Sequence, residues 1–298
     1  MPSDLVAEAF LAFRHAFFNE AGTPRVYHLR DKRNTQDDPL DEKVVRLLSE
    51  NLPRGARCVK APGPLITPDL VVIRQALCVR VGRELLASDL SRVAAIEVKK
   101  LERTSGGGIA RASGMDYNTT PPCGRVRVYD QDRQPLDVRG FYLFVCQEPI
   151  EGSPARYRIS AMALCDGNLL NEDFDYYLSI VGERTKEVGL GSYGDGANRT
   201  RPMLIFANPL GAAELDRRAT LIHPASDLGE HFRQLRLVGM IRRSVPKGGN
   251  RAFYCYRLRA DVPVDHGDFD LADPFPEPER TTRTQARGRF RLDLRLAD

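Results

Sequence analysis

No apolar run in the 298 residues approaches the roughly 20 that a helix needs to cross a bilayer. A secretory leader is missing too. Phe10 to Phe18 is apolar, but Arg14 and His15 interrupt it, acids precede it and no small-residue cleavage site follows. These absences predict a cytoplasmic chain without a membrane partner. The six cysteines, at 58, 78, 123, 146, 165 and 255, include no CxxC pair. That argues against a zinc site or a disulfide framework; several sit in apolar strand-like runs, as buried reduced thiols do. The five histidines form no ligand pair at helical spacing, and no segment repeats.

What is present is ordinary in bulk and uneven in placement. Hydrophobic residues at 42% and charged residues at 28% fit a soluble globular chain. The net charge of +4 conceals a basic block: residues 183–259 hold 14 Lys/Arg against 7 Asp/Glu. Residues 262–279 hold six acids and no Lys/Arg, and 280–298 hold six arginines against two aspartates. A basic block in a nearly neutral chain fits a polyanion-binding face, and equally a solvated surface.

Periodicity predicts an amphipathic helix over 3–19, capped by Ser3, with Leu5, Val6, Ala9, Phe10, Phe13 and Phe17 on one face. A polar loop over 20–38 follows, then a helix over 40–52 burying Val44, Val45, Leu47, Leu48 and Leu52, ended by Pro53, Arg54 and Gly55. The period then falls to two. "PDLVVIR" and "ALCVRVG" read as paired strands and "ELLASDLSRV" as a short helical turn. "VAAIEVKK", "RVRVY", "GFYLFVC", "YRISAMAL" and "PMLIFA" read as further strands, the third apolar on both faces as in a central strand. Residues 171–181 suit a helix. "LRLVGMIRRSV" and "RAFYCYRLRA" flank "PKGGN" as a hairpin. Residues 261–279 read as a proline-punctuated acidic linker, and 280–298 as an Arg-rich C-terminal tail. The order predicts an α/β (α+β) domain over 1–260 with a mixed central β-sheet flanked by helices. Irregular stretches as long as 101–124 and 189–201 are uncommon in a compact domain unless they have a task.

One constellation stands out. Pro68 suits a strand's first position because it cannot donate to a ladder, so Asp69 sits where a strand leaves the core. Glu97 and Lys99, two apart on another strand, point to one face. If the strands are neighbours, two carboxylates and an ammonium meet at one edge of the sheet. Two carboxylates suit a hard divalent cation, and Mg²⁺ keeps several waters when so bound. Such a cation lowers the pKa of a water and stabilises charge on a phosphodiester, and a nearby lysine orients the water. The backbone carbonyl of Val98 is a further candidate ligand. The alternative is that Asp69 caps a turn while Glu97 and Lys99 form a solvated row on an edge strand; Ala94, Ala95 and Ile96 argue against that.

Pro68-Asp69 followed by Glu97-Val98-Lys99, each on an expected strand, resembles the PD-(D/E)XK nuclease superfamily, most like a type II restriction endonuclease. The resemblance implies a core over about 40–182 carrying inserted DNA-recognition loops. It implies metal binding by Asp69 and Glu97, with Mg²⁺ as cofactor (Mn²⁺ substituting), and assistance from Lys99. Members often add an acid from the preceding helix, for which Glu50 is the candidate, with Glu42 behind it. The implied partner is double-stranded DNA, cut at a short specific site by a homodimer whose symmetry matches the site.

Three stretches carry residue types that contact DNA. In 101–124 and just beyond these are Arg103, Arg111, Asp116, Asn118 and Arg125, since arginine pairs with guanine, asparagine with adenine, and aspartate accepts from cytosine. Gly106 to Gly108 would let backbone approach phosphates. Asn198, Arg199 and Arg201 form the second group. Arg242, Arg243 and Lys247 form the third, suited to phosphate. Two other readings remain open from sequence: a repair or recombination nuclease with the same core, and a non-catalytic DNA-binding protein whose acidic pair is structural.

Overall fold

The computed structural model describes residues 4–33, 38–62, 68–74, 92–104, 106–109, 115–117, 124–129, 133, 135–153, 155–170, 204–244, 250–262, 267–269 and 271. Helix α1 (Leu5–Phe17) begins at Asp4, whose carboxylate accepts from the amides of Val6 (2.9 Å) and Ala7 (3.1 Å). The cap is therefore Asp4 and not Ser3, which lies outside the described residues. Aspartate satisfies two of the otherwise unpaired amides of the first turn and places a negative charge at the positive end of the helix dipole. Helix α2 (Pro39–Asn51) is capped by Asp38, with Pro39 in the first turn where no amide partner is needed. It buries Leu40, Val44 and Leu48; Val45, Leu47 and Leu52 are half-buried.

The polar stretch between the helices is not all loop: β1 (Val26–His28) pairs antiparallel with β8. The remaining strands are β2 (Ala56–Lys60), β3 (Leu70–Arg74), β4 (Val93–Glu102), β5 (Met115–Tyr117), β6 (Arg125–Tyr129), β7 (Pro135–Pro149), β8 (Arg156–Asp166), β9 (Leu204–Phe206), β10 (Ala219–His223), β11 (Leu235–Ser244), β12 (Asn250–Leu258) and β13 (Gly267–Asp268). A short helix α3 (Leu228–His231) precedes β11.

Among the described residues, eleven strands form one mixed sheet with the path β13-β11-β12-β10-β8-β7-β4-β3-β2, to which β1 and β6 add at β8 and β7. β5 and β9 form a separate antiparallel pair. β4 runs parallel to β7 and β10 parallel to β8; β3–β4, β7–β8 and β11–β12 are antiparallel. The expected hairpin of β11 and β12 is present. The expected pairing of "PDLVVIR" with "ALCVRVG" is replaced: β3 has β2 on one side and β4 on the other, so both its edges are taken. "ALCVRVG", the helical turn over most of 84–93, and residues 171–181 and 189–201 lie outside the described residues.

Alternation sorts the side chains of β7 onto two covered faces. Phe141, Leu143 and Val145 of β7 face α1 and α2 together with Leu70, Val72, Ala94 and Ile96. Tyr142, Phe144 and Cys146 face the opposite layer with Leu210, Leu215, Ile222 and Phe253. β7 is thus apolar on both faces because both faces are covered, as the sequence predicts. Each fully buried Leu or Phe contributes about 1.5–3 kcal/mol. The four described cysteines are free thiols, three of them buried.

α1 is also tied to the sheet by charge. His223, buried at the end of β10, lies 3.2 Å from Asp4 Oδ2 through Nε2 and accepts the Ala225 amide at Nδ1 (3.1 Å). Arg139 stands 3.9 Å from Asp4 and 3.7 Å from buried Asp166. Burial alone would raise the Asp4 pKa, but the His223 hydrogen bond, with the Ala7 amide and the Arg139 charge, brings it down to about 2.

Candidate functional site

β3 and β4 end their shared ladder at Leu70↔Ile96, so Asp69 and Glu97 come next on each strand. Past that point β4 continues against β7 alone, with Glu97 opposite Tyr142 and Lys99 opposite Phe144. The Val98 amide, which β3 no longer reaches, donates to Asp69 Oδ2 at 2.7 Å. The aspartate side chain thus takes the place of a ladder carbonyl and is fixed by it. Pro68, which has no amide to offer, sits buried just before this point.

Glu97 is 6% exposed. Its Oε1 accepts from Lys99 Nζ at 2.8 Å, and that ammonium is itself mostly covered. Its Oε2 is buried with no hydrogen-bond partner. A buried carboxylate oxygen left unpaired costs about 1–3 kcal/mol, more when charged. Burial first, and the Glu97 charge second, push the Asp69 pKa up to about 7, against the opposing Val98 hydrogen bond. Two carboxylates crowded in a low-dielectric place resist losing both protons unless a cation joins them.

The sequence places Asp69, Glu97, Val98 and Lys99 together, and the structure does the same. It does not bring Glu50 to them. Glu50 is exposed near the far end of α2, 3.8 Å from Arg46. Glu42 is bound by Arg30 at 2.8 Å, with Arg33 at 4.0 Å. The helix acid that lies in the field of the pair is Asp41, about 13 Å along the axis from Glu50. Its pKa rises to about 6, through burial first and the Asp38 charge second, with Glu97 also contributing and Lys60 and Lys100 opposing. Asp69 in turn feels Asp41. The sequence singles out Glu50 and Glu42 on this helix and does not single out Asp41. Among the described residues no three His, Cys, Asp or Glu side chains stand close enough to form a metal-ligand group. Asp69 and Glu97 therefore offer a pair, and the orphaned Oε2 of Glu97 fits a hard cation whose other positions are taken by water, backbone or substrate oxygen.

The DNA-contact candidates are dispersed. Arg103 is nearly buried: its guanidinium grips Asp216 at 2.6 and 3.2 Å, Ser160 Oγ at 3.0 Å and the Gly107 carbonyl at 2.9 Å. Beside it, the Thr104 amide donates to the Gly108 carbonyl (2.8 Å) and the Gly107 amide to the Thr104 carbonyl (2.9 Å), a tight reversal in which Gly107 has φ +81. Arg125 is exposed on β6 opposite Arg139 of β7. Arg242, exposed, and Arg243, half-buried, lie on β11, five strand spacings or about 24 Å from β4. Arg111, Asn118, Asn198, Arg199, Arg201 and Lys247 lie outside the described residues, as does the side chain of Asp116.

No family model matches the chain, and no curated protein does. Among solved structures, the restriction endonuclease BglI bound to its DNA recognition sequence is similar at 12% identity, covering 68% of this chain and 77% of that one, with a TM-score of 0.26. A score that low does not establish a shared fold, so function must be argued from this chain's own residues.

Proposed function

We propose that this chain is a Mg²⁺-dependent endonuclease of the PD-(D/E)XK type, cutting double-stranded DNA at a short specific site as a type II restriction enzyme does. The observation that carries this reading is the Asp69–Glu97–Lys99 constellation: two crowded carboxylates at the end of a strand pair, one with a buried unpartnered oxygen, beside a lysine held at 2.8 Å. Asp69 and Glu97 would hold the cation, with the Val98 carbonyl as a further donor. When bound, the cation supplies an activated water and stabilises the charge that builds on the scissile phosphate.

The residues do the rest. The Val98 amide fixes the Asp69 carboxylate, so little reorganisation is needed. Lys99 keeps the pair partly neutralised and offers a donor to the attacking water or to a phosphate oxygen. Asp41 adds negative potential from α2 and raises the affinity of the pair for a cation. A homodimer is the partner arrangement that a palindromic site favours.

Purified protein incubated with plasmid and Mg²⁺ should give discrete linear fragments. Asp69→Ala and Lys99→Ala should each lower the cutting rate by about 10²-fold or more while DNA affinity stays within a few-fold. Cutting that survives Asp69→Ala refutes the site. Cleavage confined to branched or mismatched substrates places the chain among repair nucleases. DNA binding without cutting, in the presence of Mg²⁺ or Mn²⁺, makes it a non-catalytic binder.

A further inference from the structure

β2 is the last strand at one end of the sheet, and among the described residues it pairs with β3 alone. Register fixes which way its side chains face. Arg57 is opposite Ile73 and Val59 opposite Val71; β3 in turn sets Ile73 opposite Val93 and Val71 opposite Ala95 of β4. Paired residues share a face, and so do residues two apart on one strand. Arg57 and Val59 therefore stand on the face of the sheet that carries Glu97 and Lys99. Ala95 is one such step from Glu97 and Val93 is two, so the row that ends in Arg57 lies about 14 Å along the strands from the carboxylate. Lys60, opposite Leu70, is on the other face, where its charge acts on Asp41.

This margin of the sheet is chemically one-sided. Residues 51–68 hold three cations, Arg54, Arg57 and Lys60, and no acid. All three are exposed, and none has an ion pair among the described residues. Other arginines of the sheet are held by carboxylates, as Arg103 is by Asp216, Arg158 by Glu148 and Arg74 by Glu8. Val59 is 43% exposed beside half-buried Val71 and Ile73, so an open apolar floor lies between Arg57 and the carboxylate row. A second copy paired along this edge would double the positive charge on one seam with no acid to offset it, which disfavours that occupant. A nucleic-acid strand, whose phosphates alternate with uncharged sugars, offers the complementary order of charge and apolar surface.

We propose that β2 carries the backbone of the DNA strand that leads to the carboxylate pair. Arg57 binds a phosphate within about four of the scissile one, and Val59 lies against the sugars between them. This rests on the nuclease reading above and adds to it the path of the substrate. The Arg57 contact is made equally before and during the reaction, so it strengthens binding and leaves the chemical step alone.

The salt dependence of binding to linear plasmid DNA, measured in EDTA so that nothing is cut, tests the contact in the wild type, Arg57→Ala, Arg57→Lys and Lys60→Ala. Loss of one phosphate contact should lower the slope of log affinity against log salt by about 0.9 in Arg57→Ala, while Arg57→Lys keeps the wild-type slope. Lys60→Ala removes the same charge from the same strand on the other face and should keep that slope too. With Mg²⁺ and plasmid, Arg57→Ala should raise KM by about fivefold and leave kcat within about twofold. An unchanged slope in Arg57→Ala, or an equal drop in Lys60→Ala, overturns the proposal even where the wild type cuts. Self-association of Arg57→Ala with the slope unchanged overturns it as well, because the charge would then serve only to keep copies apart. A slope that depends on Arg57 in a protein that never cuts supports the contact and refutes the nuclease reading. A wild type that binds no DNA overturns both.

Discussion

At the residue scale, the site is defined by what its groups lack. Glu97 Oε2 has no partner and Asp69 holds its proton up to about 7. A carboxylate whose folded pKa lies above its unfolded value near 4 stabilises the fold while protonated. Its contribution is present below about 4 and is lost as pH rises through about 7. In cation-free buffer, urea unfolding should therefore show stability falling from pH 5 to pH 8. Asp69→Asn should flatten that decline and exceed the wild type at pH 8 by about 1–3 kcal/mol, with Asp41 retaining a smaller slope of the same sign. A decline of equal steepness in the variant contradicts the assignment. Much of this was legible in sequence. Pro68 marks a strand start, and Glu97 and Lys99 share a face by parity alone. The third acid was not legible: Asp41 and Glu50 are both polar positions on one helix, and only the way α2 crosses the sheet selects between them. Arg103 was misleading for a similar reason. Its partner Asp216 lies 113 residues away, and no local pattern reports an ion pair of that kind.

At the element scale, α1 is anchored through its first turn. Asp4 caps the helix and meets His223 on β10, and Arg139 on β7 stands nearby. Asp4→Ala should cost about 1–3 kcal/mol at pH 7, through the lost cap and the stranded histidine. Because the Asp4 pKa is depressed to about 2, its contribution is full above about 4 and disappears as pH falls through 2. The wild type and the variant should therefore converge in stability near pH 2; a gap that persists there would show that the carboxylate charge is irrelevant. Helices α1 and α2 and strands β3, β4, β7, β8, β11 and β12 could be read from apolar periodicity because each is long or strongly patterned. β1, β2 and β10 could not. Three to five residues give too little alternation, and β1 and β10 are also held by partners distant in sequence, as Ala219–His223 is by β8 and β12. The pairing of β3 failed for the same reason: adjacency in sequence suggested a hairpin, whereas β2 and β4 occupy its two edges.

At the scale of the whole molecule, a broad mixed sheet separates two layers. The carboxylate pair stands at the β3–β4 end, beside β2 at the margin of the sheet. The mixed sheet with flanking helices agrees with the α/β class that the sequence implies. The basic block of 183–259 resolves into several fates. Arg257 is buried against Thr220 and the Glu214 carbonyl, whereas Arg242 lies exposed on β11. Net charge alone thus overstates how much of that block faces a polyanion.

The central claim is that Asp69 and Glu97 together grip one hard divalent cation. Titration calorimetry with Mn²⁺ on the wild type, Asp69→Asn, Glu97→Gln and Lys99→Met measures it most directly. The account predicts one site in the wild type, a loss of affinity of at least about tenfold in each carboxylate variant, and binding retained in Lys99→Met. Equal Mn²⁺ affinity in the wild type and in both carboxylate variants would contradict it.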